Sequence, residues 1–309
     1  MHFVAIFNQD GGTFRTMDIA DFSSDAERIF VAAGHIIDCR PVSGDKLQDA
    51  LVAAVADPAV DVLIAGGGDG TISSAAAACF ESGKPLAVLP AGTMNLFARS
   101  LGMPLDMHAA LQAIASGELA EVDIATANGR PFVHQYSVGM HSRLVRIRNG
   151  LEYSNRLGKI FASIRAVGEA LRRPLRFDAV IRTGTRIETR RATAISVSNN
   201  PLSEGHVPYA EVIDGGVLGV YVVRPMSALA LLRLLLGLVF GNWKQHPLVA
   251  ESEVKEVVLG FPRRKSSARA VIDGELVPLP AEVKISIHPR GLRVIRPGVP
   301  AEPVLPARV

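Results

Sequence analysis

Val60-Asp61-Val62-Leu63-Ile64-Ala65-Gly66-Gly67-Gly68-Asp69-Gly70-Thr71-Ile72-Ser73 is the stretch on which the fold of this chain turns. Residues 60–65 form an apolar run of strand length, and residues 72–80 read as a helix. Between them lies a loop almost without side chains. Strand, glycine loop and helix in that order make a phosphate-binding arrangement: glycines let backbone N–H groups approach phosphate oxygens, and the helix N-terminus adds a favourable dipole. Asp69 sets the loop apart, because a carboxylate inside an anion-binding loop repels unless a metal or a water network offsets it. The loop therefore points to phosphate handled together with Mg2+. Its spacing is not a P-loop, since no Gly-Lys-Ser/Thr follows. It matches a dinucleotide fingerprint only at Gly66 and Gly68, with Thr71 where the third glycine belongs.

Outward from this loop, the first part of the chain alternates strand and helix. Residues 3–7 read as a strand, 25–33 as a helix capped by Ser23 and Ser24, 35–39 as a strand, and 46–56 as a helix with Leu47, Leu51 and Val55 on one face. A strand at 86–89, a turn opening a helix over 90–100, a helix at 107–115 and an extended segment at 121–125 follow. Repeated βα units predict an α/β domain with a doubly wound parallel sheet over residues 1–125, its ligands at the carboxyl ends of the strands.

After Asn128-Gly129, a hairpin signal, the pattern changes. Short β-rich segments at 132–138, 175–181, 193–198, 217–223, 254–259, 269–272 and 283–287 are separated by turns such as Thr183-Gly184 and Asp214-Gly215-Gly216. They predict a second, antiparallel β-rich domain, sandwich-like, over residues 126–296, interrupted by helices near 153–171 and 227–240. Residues 297–309 form a Pro-rich tail.

The chain of 309 residues is long enough for two cores, and 48% apolar with 20% charged residues is a globular composition. Cys39 and Cys79 alone make neither a disulfide framework nor a zinc site, which fits a reducing cytoplasm. Residues 1–7 have no basic n-region, so no signal peptide is expected. The longest apolar run, residues 226–240, is interrupted by Arg233 and too short to span a bilayer. Its expected place is the second domain's core, with a lipid entry or membrane contact as the alternative. Net charge is only +3, yet residues 141–191 carry thirteen Lys or Arg against four Asp or Glu. Such an excess suits an anionic partner or a solvated basic surface. The eight histidines lack metal-ligand spacing, and no Gly-x-Ser-x-Gly elbow occurs.

A second turn, Pro90-Ala91-Gly92-Thr93-Met94-Asn95-Leu96-Phe97-Ala98-Arg99, again ends a strand and opens a helix. In a parallel sheet, neighbouring strand tips face one crevice, so the two turns can hold opposite sides of one polyphosphate. Asn95 can also serve as a helix cap.

With both turns in hand, the sequence resembles the diacylglycerol kinase catalytic-domain family, which includes bacterial lipid kinases, diacylglycerol kinases and sphingosine kinases. The resemblance runs over about residues 1–290. Asn8-Gln9-Asp10-Gly11-Gly12 stands where the family has an Asn-Pro-x-x-Gly turn. Asp123 matches the aspartate closing the first domain. Ser198-Asn199-Asn200 with Pro208-Tyr209-Ala210, Asp214-Gly215-Gly216-Val217-Leu218 and Asp273-Gly274-Glu275 follow in order. The resemblance implies a nucleotide-binding domain facing a lipid domain, ATP and Mg2+ as cofactors, and transfer of the γ-phosphoryl group to a lipid hydroxyl. ATP would lie on Asn8, Gly11, Gly12, on Gly67, Gly68, Asp69, Gly70, Thr71, Ile72 and Ser73, and on Gly92, Thr93 and Asn95, with Arg40 nearby. Glu275 is the first choice for general base and Asp273 the second. Mg2+ would bridge the phosphates near Asp69, a structural Mg2+ would use Asp214 with carbonyls of Glu211 and Gly216, and Asp123 joins the acidic network. Leu96 and Gly219 depart from the family, each standing where an aspartate is usual.

The expected partner is a membrane-derived lipid, met by a cytoplasmic protein that contacts the membrane surface transiently through its basic segment. No nucleic acid is expected, and a homodimer stays open. Two rival readings remain: an NAD kinase, which shares the glycine loop but not the second turn, and a nucleotide- or lipid-binding protein without turnover.

Overall fold

The computed structural model describes residues 1–140, 142, 143, 145 and 176–298. The expected helix at 153–171, most of the basic segment and the tail from 299 lie outside these residues.

Four parallel strands begin the fold: β1 (His2–Asn8), β2 (Ile36–Val42), β3 (Val62–Gly67) and β4 (Leu86–Pro90), in the spatial order β2-β1-β3-β4. Residues Phe3 to Phe7 are fully buried, as expected of a strand covered on both faces. The helices α1 (Ile19–Ala32) and α5 (Met107–Ala115) pack beside each other, as do α2 (Leu47–Ala56) and α3 (Asp69–Ser82), while the short α4 (Leu96–Ser100) follows β4. The α1 start corrects the sequence reading. Asp18, not Ser23 or Ser24, caps it by accepting from Ala20 N at 3.0 Å and Asp21 N at 3.2 Å. Ser23 and Ser24 instead donate to carbonyls one turn back, and Phe22, Ala26 and Phe30 form the buried stripe. Helix α3 also starts earlier than expected, so Asp69, Gly70 and Thr71 are its first turn.

The antiparallel half contains β5 (Glu118–Ala127), β6 (Arg130–Phe132), β7 (Gln135–Gly139), β8 (Phe177–Thr183), β9 (Arg186–Ala192), β10 (Ala194–Asn199), β11 (Leu218–Val223), β12 (Val249–Val254), β13 (Glu256–Gly260), β14 (Arg269–Ile272), β15 (Glu275–Pro278) and β16 (Glu282–Arg296). Strands β12-β11-β10-β7-β14-β15 form one sheet. The other, β4-β16-β13-β8-β9 with β5 and β6 branching from β16, continues the parallel sheet. The space between the two sheets is filled by a core that includes Tyr136, Val138, Ile195, Val197, Val257, Leu259 and Ile285. Helix α6 (Ala228–Phe240) buries Leu234 against Met226, Tyr221 and Trp243 and leaves Leu229, Leu232, Leu236 and Phe240 exposed. No described helix is long and apolar enough to cross a membrane.

Strand β16 ties the halves together. Its first part contributes Val283, Ile285 and Ile287 to the sandwich core, and its last part contributes Leu292, Val294 and Ile295 to the core of the parallel sheet. Val294 pairs with Leu86 of β4. Opposite Asp123 of β5 the β16 register shifts between His288 and Leu292, which lets Arg290 N donate to Asp123 Oδ1 at 2.8 Å. Asp123 Oδ2 accepts from Asn200 Nδ2 at 2.7 Å and Gly216 N at 2.6 Å, all with the aspartate fully buried.

Removing this acceptor leaves three donors without it, at roughly 1–3 kcal/mol for each that stays unsatisfied. Asp123→Ala is expected to lower stability by about 3 kcal/mol or more, read as a reduced urea midpoint at unchanged m-value. An unchanged midpoint would show that the junction is held by other contacts.

Candidate functional site

The strand order places β1 between β2 and β3, so the sheet's switch point lies between β1 and β3, where open α/β sheets bind ligands. The loops expected to hold a nucleotide meet there. Asn8 Nδ2 donates to Thr71 Oγ1 at 3.2 Å, joining the β1 tip to the first turn of α3. Thr13 N donates to Ala91 O at 2.8 Å, and Ala91 N to Gly67 O at 3.0 Å. Glycine is required at two of these approaches. A Cβ on Gly12, at φ +56°, would lie 1.8 Å from Ala91 O, and one on Gly92 would lie 2.7 Å from Gly68 Cα.

Gly68 is the N-cap of α3 and offers no side chain, so the helix's first-turn N–H groups have no side-chain acceptor. A Cβ on Gly70 would meet nothing within 4 Å, so the space beside that turn is open. An open, uncapped helix N-terminus among close-packed glycines fits a phosphate chain. Thr93 is exposed on the β4–α4 loop, whereas Ile72 is buried in the core and has only its backbone to offer. Arg40 lies on β2 opposite Ile6, two residues short of the strand's end, and donates from Nε to Asp38 Oδ2 at 2.7 Å.

Asp69 behaves differently from its sequence reading. Its Oδ1 accepts from Leu96 N at 2.6 Å and its Oδ2 from Asn95 N at 3.1 Å. Its charge therefore already faces the N-terminus of α4, and the loop's negative charge alone does not demand a metal. Asn95 sits at φ +50° with its side chain closed on Gly92, accepting from Gly92 N at 2.9 Å and donating to Gly92 O at 3.0 Å.

The second domain reaches this site through a two-residue hairpin. Asp273 (φ +45°) and Gly274 (φ +88°) join β14 to β15 with the positive angles of a type I′ turn. The Asp273 carboxylate points inward and accepts from Ser73 Oγ at 2.8 Å and from the backbone N of Val133, His134 and Gln135, each at 2.9 Å. Burial pushes its carboxyl up from the ordinary value, against the pull of these four donors. Glu275 is exposed and paired with Arg130. Gly70, Ser73, Arg130, Asp273 and Glu275 line one cavity of about 360 Å³ between α3 and the hairpin.

Glu211 and Asp214 are exposed on the loop before β11, and Gly216 N is held by Asp123. Among the described residues no three His, Cys, Asp or Glu side chains form a metal-ready group. Near that loop the buried Asn200 Oδ1 has no protein partner. An aspartate at Gly219 would require the Ser198 and Tyr221 side chains to shift, because a Cβ there would lie 2.7 Å from Ser198 Oγ and 2.9 Å from the Tyr221 hydroxyl. Both cysteines are free, and burial pushes their thiols up, to about 11 for Cys39 and about 12 for Cys79.

His134, Ser73's bond to Asp273 and the Arg130–Glu275 pair were not foreseen, since each joins elements far apart in sequence. Burial pushes the His134 imidazole down from 6.5 to about 4, opposed by the charge of Asp69. A lowered pKa makes the folded state favour neutral imidazole, so this contribution is complete above 6.5 and is lost as pH falls toward 4. On going from pH 7 to 5 the wild type is expected to lose about 2 kcal/mol more than His134→Gln, measured by urea titration at both pH values. Equal losses would place His134 in solvent.

The sequence model of the diacylglycerol kinase catalytic domain matches residues 2–127, and that of the YegS C-terminal NAD kinase beta sandwich-like domain matches residues 137–296. "Uncharacterized protein sll0036" of Synechocystis is 31% identical over 249 residues, covering 76% of this chain and 54% of that protein. "Probable lipid kinase YegS-like" of Klebsiella pneumoniae is 41% identical over 88 residues, 28% of this chain and 30% of that protein. The chain thus spans about half or less of the length of these relatives. A crystal structure of a diacylglycerol kinase from Bacillus anthracis shares the fold, with a TM-score of 0.73 at 20% identity over 96% of both chains.

Proposed function

The chain belongs to the diacylglycerol kinase catalytic-domain family, and on that premise we propose that it transfers the γ-phosphoryl group of ATP to the hydroxyl of a lipid. The observation that carries this reading is the shared cavity: Gly70, beside the uncapped start of α3, and Glu275, from the second domain, line the same space. Phosphoryl transfer needs little covalent chemistry from the protein and depends on positioning and charge neutralisation. The α3 first turn would hold the phosphates through its N–H groups, and Gly68 and Gly92 let the two loops close without side chains between them.

Glu275 is the group proposed to take the proton from the acceptor hydroxyl, because it is exposed and Arg130 can release or reorient it. Asp273 is less suited, since all four of its hydrogen bonds tie it to the protein frame. Mg2+ would supply charge neutralisation on the phosphates, with Asp69 and solvent as ligands. A second Mg2+ on Asp214 and the carbonyls of Glu211 and Gly216 fits the unpartnered acceptor of Asn200. Diacylglycerol is the default acceptor, with a sphingoid base, monoacylglycerol or phosphatidylglycerol as alternatives. Helix α6, which makes up most of the apolar run, offers its exposed Leu229, Leu232 and Leu236 to lipid or membrane.

Incubation with labelled ATP, Mg2+ and either extracted lipids or NAD tests the reading. Label is expected in a lipid phosphomonoester. Phosphorylated NAD would give the rival enzyme class, and bound but unturned ATP would give a binding protein. Gly92→Ala, which forces the β4 loop off Gly68, is expected to cut transfer by about 100-fold or more with the fold retained. Glu275→Gln is expected to reduce turnover by at least about 100-fold with ATP binding preserved.

A further inference from the structure

A second cavity, of about 490 Å³, opens at the other end of the sandwich, where β7 ends, β8 begins and the loop 261–268 joins β13 to β14. Arg269, on its rim, stands at the opposite end of β14 from the Asp273 turn, about 13 Å away at 3.3 Å per residue. It is therefore separate from the cleft described above, with which it shares no lining residue.

Its chemistry is two-sided. The rim carries Arg143, Arg176, Arg263, Arg264, Lys265 and Arg269 against one acid, Asp178. That acid is already faced by Arg191 at 3.5 Å and Arg263 at 3.6 Å. Among the described residues no ion pair engages Arg264 or Lys265. Arg264 and Lys265 thus stand on a strongly positive rim, which favours an anion beside them. The floor is apolar: Val138, Phe261 and Leu279 are buried, and the Phe177 and Phe261 rings lie 6.1 Å apart, continuous with the sandwich core.

A free inorganic anion would match the rim and leave the floor wet. A neutral lipid would cover the floor and leave Arg264 and Lys265 unmatched. We propose that this cavity binds an anionic amphiphile, a phosphate or carboxylate headgroup carrying an alkyl chain, with the headgroup on Arg264 and Lys265 and the chain over Phe177 and Phe261. The volume lies within the usual range of small-molecule sites. Nothing in this cavity depends on the activity of the cleft, and the two can fail separately.

Calorimetric titration of the full chain with dodecyl phosphate below its micellar concentration tests the assignment, with inorganic phosphate and dodecyl maltoside as the other arms. Dodecyl phosphate is expected to bind at least about tenfold more tightly than either, and to weaken as salt is raised. The exposed-loop double variant Arg264→Glu/Lys265→Glu is expected to weaken it at least about tenfold, whereas Gly92→Ala and saturating ATP leave it unchanged. Should the double variant lose its fold, Arg264→Gln and the salt dependence give the same reading. Equal affinity for inorganic phosphate would reduce the site to an anion patch, and equal affinity for the maltoside to an apolar surface. Binding indifferent to the rim substitutions, or displaced by ATP, would place the amphiphile elsewhere. Each of these outcomes overturns the proposal.

Discussion

One buried carboxylate sets the relation between the two halves of this molecule. Asp273 accepts from Ser73 in α3 and from three consecutive backbone N–H groups at 133–135, so a single side chain joins the helix that follows the glycine loop to the start of β7. A carboxylate taken from water is stable only where donors replace its hydration, and here four do so. The consequence reaches the site directly. Beside the inward-turned Asp273, Glu275 at the start of β15 is exposed and lines the cavity that Gly70 also lines.

A second constraint acts on the opposite side. Strand β16 belongs to both cores, and its register shift faces Asp123, where Arg290, Asn200 and Gly216 converge. The two aspartates divide the work. Asp273 fixes the hairpin against α3, while Asp123 fixes the 213–216 loop and the β16 crossing. A rotation of one half relative to the other would break charge-assisted hydrogen bonds at both points, each stronger than a neutral one.

The βα alternation was readable because its signals are local. An apolar run, a glycine turn and a helical stripe each lie within about a dozen residues, and β1 to β4 fall where the sequence places them. The Asn128-Gly129 hairpin was readable for the same reason, since both residues adopt positive φ. What escaped is non-local or polar. Strand β9, Arg-Ile-Glu-Thr-Arg-Arg-Ala, is a charged edge strand whose composition protects it from further pairing and hides it from a hydrophobic pattern. The long β16 was seen only as residues 283–287, because its second half is recognised by partners in the first domain. The continuous sheet across both halves has no local signature at all. In the candidate site, the glycine loop and the second turn announced themselves, whereas His134 and the Ser73–Asp273 bond depend on residues brought together by the finished fold.

Asp69 shows how tertiary structure can change the meaning of a motif. Read in sequence, a carboxylate among glycines argued for a metal, because it would otherwise repel the phosphate the loop was built to hold. In the fold both oxygens accept hydrogen bonds from the first residues of α4, and the positive end of that short helix offsets part of the charge. The motif's acid therefore has a structural duty before any ligand arrives: it holds the β4–α4 turn against the start of α3, with Gly92 and Gly68 in contact beneath it. Leu96 then needs no carboxylate of its own to be useful, since it is its backbone N–H that Asp69 binds. The departure from the family pattern at this position removes a charge from the rim of the site and leaves its frame intact.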